Sequence, residues 1–153
     1  MKYYYPAVFA PGVDCYEVII PFIGCFTQGD DITDCMEMAQ DAIGTMLNGV
    51  AEKEYPAPKK ISDVNLSDYP QGSFVSYVCF DKEAYDAAVK KNLREVILSA
   101  DNPIRELLNR KHMKIKELSD LLGCPYRACQ EWSLGHTKPP AWVLTLILDK
   151  VLD

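Results

Sequence analysis

The six cysteines, at positions 15, 25, 35, 79, 124 and 129, include no C-x-x-C pair, and only two histidines, His112 and His136, occur in the chain. The spacing signatures of a structural zinc site or a redox dithiol are therefore missing. Several of the cysteines fall on apolar faces, which predicts reduced core thiols rather than disulfides or metal ligands. No apolar run approaches the roughly 20 residues that span a bilayer. The opening MKYYYPAVFAPG lacks a signal peptide's long apolar stretch and cleavage pattern, so the expected location is the cytosol, with no membrane partner. Positive charge is scarce at the N-terminal end: residues 1–80 carry eleven acidic and four basic side chains, −7, whereas residues 99–153 carry seven and eight, +1. The first segment repels nucleic acid and the second tolerates it. An acidic module suits docking of a basic protein, although a merely solvated acidic surface accounts for the charge equally well.

What is present begins with bulk. The 153 residues, 48% of them hydrophobic, suffice for one domain or two small ones. The stretch DNPIRELLNRKHMKIKELSDLLGCPYRACQEWSLGHTKPP, residues 101–140, is the most specific. Asp101 is placed to cap a helix that has Pro103 in its first turn and Ile104, Leu107 and Leu108 on one face. Ile115, Leu118, Leu121 and Leu122 give a second helix, stopped by Gly123. Pro125 starts a third, with Ala128, Cys129 and Trp132 inward, Tyr126, Arg127, Gln130, Glu131 and Ser133 outward, and Gly135 at its end. Two short amphipathic helices joined by a Gly-containing turn are the pattern of a helix-turn-helix, and small Ser119 permits the close crossing. AWVLTLILDKVL then supplies a closing helix with Trp142, Val143, Leu146 and Ile147 inward.

Over about fifty residues this run resembles the DNA-binding domain of Xre-type phage repressors. The match rests on LxxLLG at 118–123, RxxxxW at 127–132 and GxxxPP at 135–140, with Ser119 standing where that family more often has Ala. The resemblance implies operator double-stranded DNA as a partner and base reading from the start of the third helix, at Tyr126, Arg127, Gln130 and Glu131. Arg127 is the leading candidate because its fork matches a guanine edge; Lys114, Lys116 and Lys138 fall where phosphate is gripped.

The N-terminal part reads strand, strand, strand, helix, strand. Tyr3–Ala10 is β-preferring, Pro11-Gly12 makes a turn, Tyr16–Ile20 returns, and Gly24 and Gly29 bracket a third strand. Asp30 and Asp31 cap a helix whose inner face is Ile32, Cys35, Met36, Ala39, Ala42, Ile43, Met46, Leu47 and Val50, laid flat on the sheet. After a Pro- and Lys-containing loop, Tyr55–Lys60, the stretch Ser73–Phe80 gives a last strand. A connecting helix follows from Lys82 to about Ser99.

At Tyr5-Pro6, Tyr16, Pro21, Gly24-Cys25, Thr27-Gln28-Gly29-Asp30 and the alanine-studded helix, residues 3–80 resemble the HicB family of antitoxins. That family usually has an acidic residue and a Pro between Pro21 and Gly24, where this chain has Phe22 and Ile23. The resemblance implies an α+β protein: a partial ribonuclease-H-like sheet with one packed helix at 1–80, a connecting helix at 81–100, and an all-α helix-turn-helix domain at 101–153. It also implies a cognate HicA-type ribonuclease toxin, small and basic, covered by the first domain, with Phe22, Ile23, Asp30 and Asp31 as toxin-contact candidates, and repression of the chain's own operon by the second. A stand-alone regulator or interaction protein without a toxin is the alternative.

No catalytic, metal or cofactor residue is expected. Two-metal phosphoryl chemistry needs several carboxylates converging on two cations. The first strand has none, Glu17 is isolated, and Asp30, Asp31 and Asp34 read as a helix-start set. His112 and His136 fall in turns, with no carboxylate or cysteine beside them in a triad or metal arrangement. A symmetric operator calls for a homodimer or higher oligomer, with the apolar closing helix as the interface candidate.

Overall fold

A computed structural model describes residues 1–153. The fold is mixed α/β, with one four-stranded antiparallel sheet and six helices. Strands β1 (Lys2–Pro11), β2 (Tyr16–Ile20), β3 (Cys25–Gly29) and β4 (Phe74–Asp81) lie in the order β3-β2-β1-β4. Helices are α1 (Ile32–Leu47), α2 (Lys82–Ser99), α3 (Pro103–Arg110), α4 (Ile115–Leu122), α5 (Tyr126–Leu134) and α6 (Ala141–Leu152). The long connection after α1 carries three single 3-10 turns, at Glu52–Glu54, Ile61–Asp63 and Leu66–Asp68. The chain divides into two compact units, Met1–Asp86 and Ala87–Asp153.

In the first unit β1 is a central strand, and every residue from Tyr5 to Ala10 is buried. Its turn to β2 is closed by a bond from Gly12 N to Cys15 O, so Val13 and Asp14 form the turn rather than the expected Pro11-Gly12. That bond also fixes the backbone alternation. Even-numbered residues of β1 point their peptide groups toward β2, and odd-numbered ones toward β4. Pro6, unusual in a central strand, therefore directs its missing amide past the point where pairing with β2 ends at Val8, and no ladder bond is lost. Side chains alternate accordingly. Tyr5, Ala7 and Phe9 from β1, Val18 and Ile20 from β2, and Val78 and Phe80 from β4 form one core with Cys35, Ala39, Ile43 and Leu47 of α1.

The start of α1 is set by carboxylates. Asp31 is the N-cap and accepts from Asp34 N at 2.9 Å, while Asp34 in turn accepts from Asp30 N at 2.9 Å. Capping thus falls to Asp31 and Asp34, and Asp30 contributes its backbone rather than its side chain. The inner face is narrower than its sequence pattern: the helix ends at Leu47, leaving Val50 outside it, and Met46 is exposed. Gly44 takes a place on that face, and a Cβ there would meet the Tyr85 ring at 2.2–2.6 Å. Tyr85 is itself set edge-on against Phe80, with ring centroids 5.7 Å apart.

The second unit starts inside α2, because Ile97 is fully buried and Leu93 packs with the helical core of Ile104, Leu107, Leu118, Cys129, Ile147 and Leu148. Arg94 to Asp149 at 2.6 Å and Lys90 to Asp153 at 3.7 Å join α2 to α6. On α6, Val143, Leu144, Ile147, Leu148, Val151 and Leu152 face inward. Trp142 and Leu146, expected inside, lie on the opposite side of this stripe and are 71% and 45% exposed. No helix is long and apolar enough to cross a membrane.

A Gly44→Ala substitution adds a methyl where the Tyr85 ring sits. Its overpacking, about 1–3 kcal/mol, outweighs the roughly 1 kcal/mol of helix propensity gained. The expected outcome is a lower unfolding midpoint in urea with an unchanged slope.

Candidate functional site

The chain's second unit presents α4, a tight turn and α5. Helix α4 begins with the Lys114 amide donating to the Glu117 carboxylate at 2.6 Å, and ends at Gly123 with φ +63°, a left-handed conformation that favours glycine. Ser119 is buried, and its hydroxyl donates to the Cys124 carbonyl at 2.6 Å. It therefore does more than make room, since it ties the turn to the helix preceding it. Leu121, expected inside, is 42% exposed. The inner face of α4 is centred between Ile115, Leu118 and Leu122, and Leu121 is rotated away from it.

Helix α5 follows Pro125 and ends at Gly135, φ +81°. Tyr126 and Arg127 are exposed at its start, and Gln130 and Glu131 are half-buried. No carboxylate lies within ion-pair distance of the Arg127 guanidinium, whereas Lys116 is held by Asp120 at 2.7 Å. Glu131 is drawn to the far end of the helix, where it meets His136 Nδ1 at 3.1 Å. That carboxylate beside His136 was not foreseen, but the pair is exposed and has no nucleophile in line. Ser133, expected outward, is buried because it lies one turn after Cys129 on the same face. Lys138 is exposed in the loop before α6.

The C-terminal end of α5 is held from α3. Asn102, not Asp101, caps α3: its side-chain oxygen accepts from Arg105 N at 3.0 Å, and its amide donates to the carbonyls of Trp132 and Ser133 at 3.1 and 3.0 Å. Asn102 is preferred because only the residue directly before Pro103 reaches both sets of partners. The Arg105 guanidinium adds bonds to Ser133 O at 3.0 Å and Leu134 O at 3.2 Å. Together they satisfy the Ser133 and Leu134 carbonyls, which the helix end leaves unpaired, and add a second donor at Trp132 O beside the Gly135 amide, while the cation complements the helix dipole. Neither residue stood out in the sequence as a positioning group.

The exposed Trp142 and Leu146 flank an apolar groove of about 280 Å³ that Leu122, Cys124 and Pro125 also line. Cysteines behave unevenly. Cys35 and Cys129 are buried, whereas Cys15, Cys25, Cys79 and Cys124 are half-buried, and all six are free. Burial, reinforced by Cys124, pushes the Cys129 thiol up to about 11.

In the first unit, Phe22 and Ile23 occupy the turn between β2 and β3, half-buried, with Ile23 packed on the core. Asp30 and Asp31 are exposed just beyond β3, Asp31 engaged as the cap of α1. Between these two pairs lies a residue that sequence reading passed over: Phe26, 81% exposed. Its cross-strand partner is Ile19, while Cys25 on the other face packs on the core. With the register known, strand alternation places Phe26 on the face opposite Cys25. No group of three His, Cys, Asp or Glu side chains is arranged to hold a metal ion.

A family model described as the HicB-like antitoxin of bacterial toxin–antitoxin systems matches residues 5–105, roughly two-thirds of the chain. The chain belongs to this family. A search of the curated proteins finds no match to it. The HicB-like match takes in the sheet, α1, β4, all of α2 and the Asn102 cap, and stops within α3. Family membership thus carries the antitoxin class of the chain, while α4 and α5 rest on their own geometry.

Two outcomes follow for this HicB-like chain. Asn102→Ala removes an N-cap and two bonds to α5, so stability falls by about 1–3 kcal/mol, measured by urea denaturation, and α5 amides near Ser133 exchange faster with deuterium. Alkylation needs the thiolate, and with its pKa raised to about 11 Cys129 holds only about one thiolate in a thousand at pH 8. Iodoacetamide should therefore modify Cys129 only after unfolding, as read by peptide mass spectrometry, whereas half-buried Cys15 and Cys79 react in the native protein.

Proposed function

We propose that this HicB-like chain neutralises a cognate HicA-type ribonuclease toxin with its sheet unit and represses its own operon by binding operator DNA with its helical unit. The family match over residues 5–105 carries the antitoxin part. In this reading residues 1–80 are the reduced ribonuclease H fold, supported by their β-β-β-α-β order. The −7 charge of that segment favours a basic toxin, with Phe22, Ile23, Asp30 and Asp31 among the contacts. No catalytic step is assigned to the antitoxin. Its role is to cover the toxin's active site.

The DNA part rests on α4, the Gly123 turn and α5, two eight- to nine-residue helices joined by a three-residue turn with a left-handed glycine, in residues 101–153 that resemble Xre-type domains. The unpaired, exposed Arg127 is the base reader, with Tyr126 and Gln130 beside it. Lys114 and Lys138 grip phosphate; Lys116 must first exchange Asp120 for phosphate. Glu131 is the weakest of the proposed contacts, since His136 holds its carboxylate. The groove beside Trp142 and Leu146 is where a second copy packs, giving the homodimer that a two-fold operator requires.

The test is operator binding by the full chain. Arg127→Ala should cost about 1–3 kcal/mol at the cognate site and leave the unfolding midpoint unchanged, whereas Lys138→Ala should weaken binding at all sequences alike and flatten the salt dependence. Arg127→Ala binding with wild-type affinity would leave an antitoxin whose helical unit serves only packing.

A further inference from the structure

We propose that the free edge of β3 is the toxin's docking site, with the peptide groups of Phe26 and Gln28 pairing to a strand of the toxin and the Phe26 ring as its anchor. The inference rests on the toxin-neutralising reading above and names the surface that serves it.

The geometry is specific. Strand β3 ends the sheet, and its backbone–backbone hydrogen bonds run to β2 alone. The alternation fixed by the Gly12–Cys15 bond carries through the register: odd-numbered residues of β2 face β1, so Tyr16, Val18 and Ile20 face Gly29, Thr27 and Cys25 of β3. Phe26 and Gln28 are left with amide and carbonyl directed outward, off the sheet. The opposite edge is not equally open, because the Tyr77 hydroxyl on β4 binds Lys59 O at 3.4 Å and accepts from Ile61 N at 3.3 Å, drawing the long connection alongside it.

Edge strands are normally blunted by a charged side chain, a proline, a bulge or a covering element. Cys25-Phe26-Thr27-Gln28-Gly29 has no charge and no proline, and it carries the most exposed aromatic ring of the unit. A bare edge with an aromatic anchor is the arrangement that receives an added strand. Charge selects which strand. Asp30 and Asp31 stand exposed at the end of β3, where the Asp34 carboxylate holds the Asp30 amide, so that end of the edge carries three carboxylates. A second copy of the chain would bring the same −7 charge and be repelled from these carboxylates. A small basic protein with an exposed strand is drawn to them, and it is the occupant.

The experiment uses the full chain and the cognate HicA-type toxin of that reading in a catalytically inactive form, so that both can be purified. Wild-type chain should bind this toxin, and the amides of Phe26 and Gln28 should become protected from deuterium exchange in the complex. Phe26→Asp and Gln28→Pro should each weaken the dissociation constant by about 10- to 100-fold. Neither should change the melting temperature, since the ring is solvent-exposed and Gln28 gives β2 no hydrogen bond; should Gln28→Pro misfold, Phe26→Asp carries the test. Wild-type affinity in Phe26→Asp, with both amides still exchanging, overturns the edge and leaves the toxin reading standing. A wild-type chain that binds no toxin overturns the reading itself. A fall in the chain's own mass by light scattering on Phe26→Asp, with toxin affinity kept, assigns the edge to contacts between copies and overturns the proposal.

Discussion

The carbonyl groups that close α5 are the constraint on which the helical unit depends. A helix ends with four acceptors that its own backbone does not satisfy, and here the residues concerned are partly buried. Asn102 and Arg105 reach back from the start of α3 to Trp132, Ser133 and Leu134, so the end of α5 is fixed from α3 as well as by the loop amides of Gly135 and His136 that bond to Trp132 O and Glu131 O. The other end is fixed through α4 by the Ser119 hydroxyl on Cys124. A short helix pinned at both ends presents Tyr126, Arg127 and Gln130 at a defined angle, with little flexibility to lose in the proposed DNA contact. The pins lie on the inner side, so the outward face is free to vary without loss of the frame.

In the sheet unit the corresponding constraint is backbone alternation. One turn bond, Gly12 to Cys15, decides which peptide groups of β1, β2 and β3 point in which direction. It explains how Pro6 is tolerated at the centre of the sheet. It also determines which peptide groups of β3 remain open. Folding and proposed binding thus draw on a single alternation, and a one-residue slip of register would move Phe26 toward α1 and bury the wrong side of every strand.

Much of this was legible in the sequence, because the strongest signals were local. Glycines at 123 and 135 marked helix ends that have left-handed caps, and alternating and helical periodicities placed the four strands and the helices, apart from the end of α1, which stops three residues before Val50. The family resemblance read from Thr27-Gln28-Gly29-Asp30 agrees with the HicB-like match. What escaped was set by distant partners. Asn102 rather than Asp101 caps α3 because its amide has two acceptors thirty residues away. Trp142 and Leu146 turned outward because α6 is rotated by packing on Ile97 and Leu107, which helical spacing within α6 alone does not reveal. Ser133 looked like a surface residue by polarity, yet its position one turn after Cys129 decides its burial. Phe26 was passed over because aromatic residues in strands are usually core, and only the pairing with Ile19 shows its face.

The separation of charge along the chain acquires a physical sense on the proposed reading. An acidic surface near an operator would repel phosphate, and a basic toxin docked on that surface would cancel the repulsion. On that reading, neutralising the −7 segment would raise the affinity of the whole chain for DNA without any change in α5. Linkage would then require the reverse as well, with operator DNA tightening toxin binding by the same factor. Such a coupling would be electrostatic, weakening as salt rises and the Debye length shrinks, whereas main-chain pairing at an edge strand would not. The two contributions to toxin binding are separable by ionic strength, with the part that salt removes being the part that communicates with DNA.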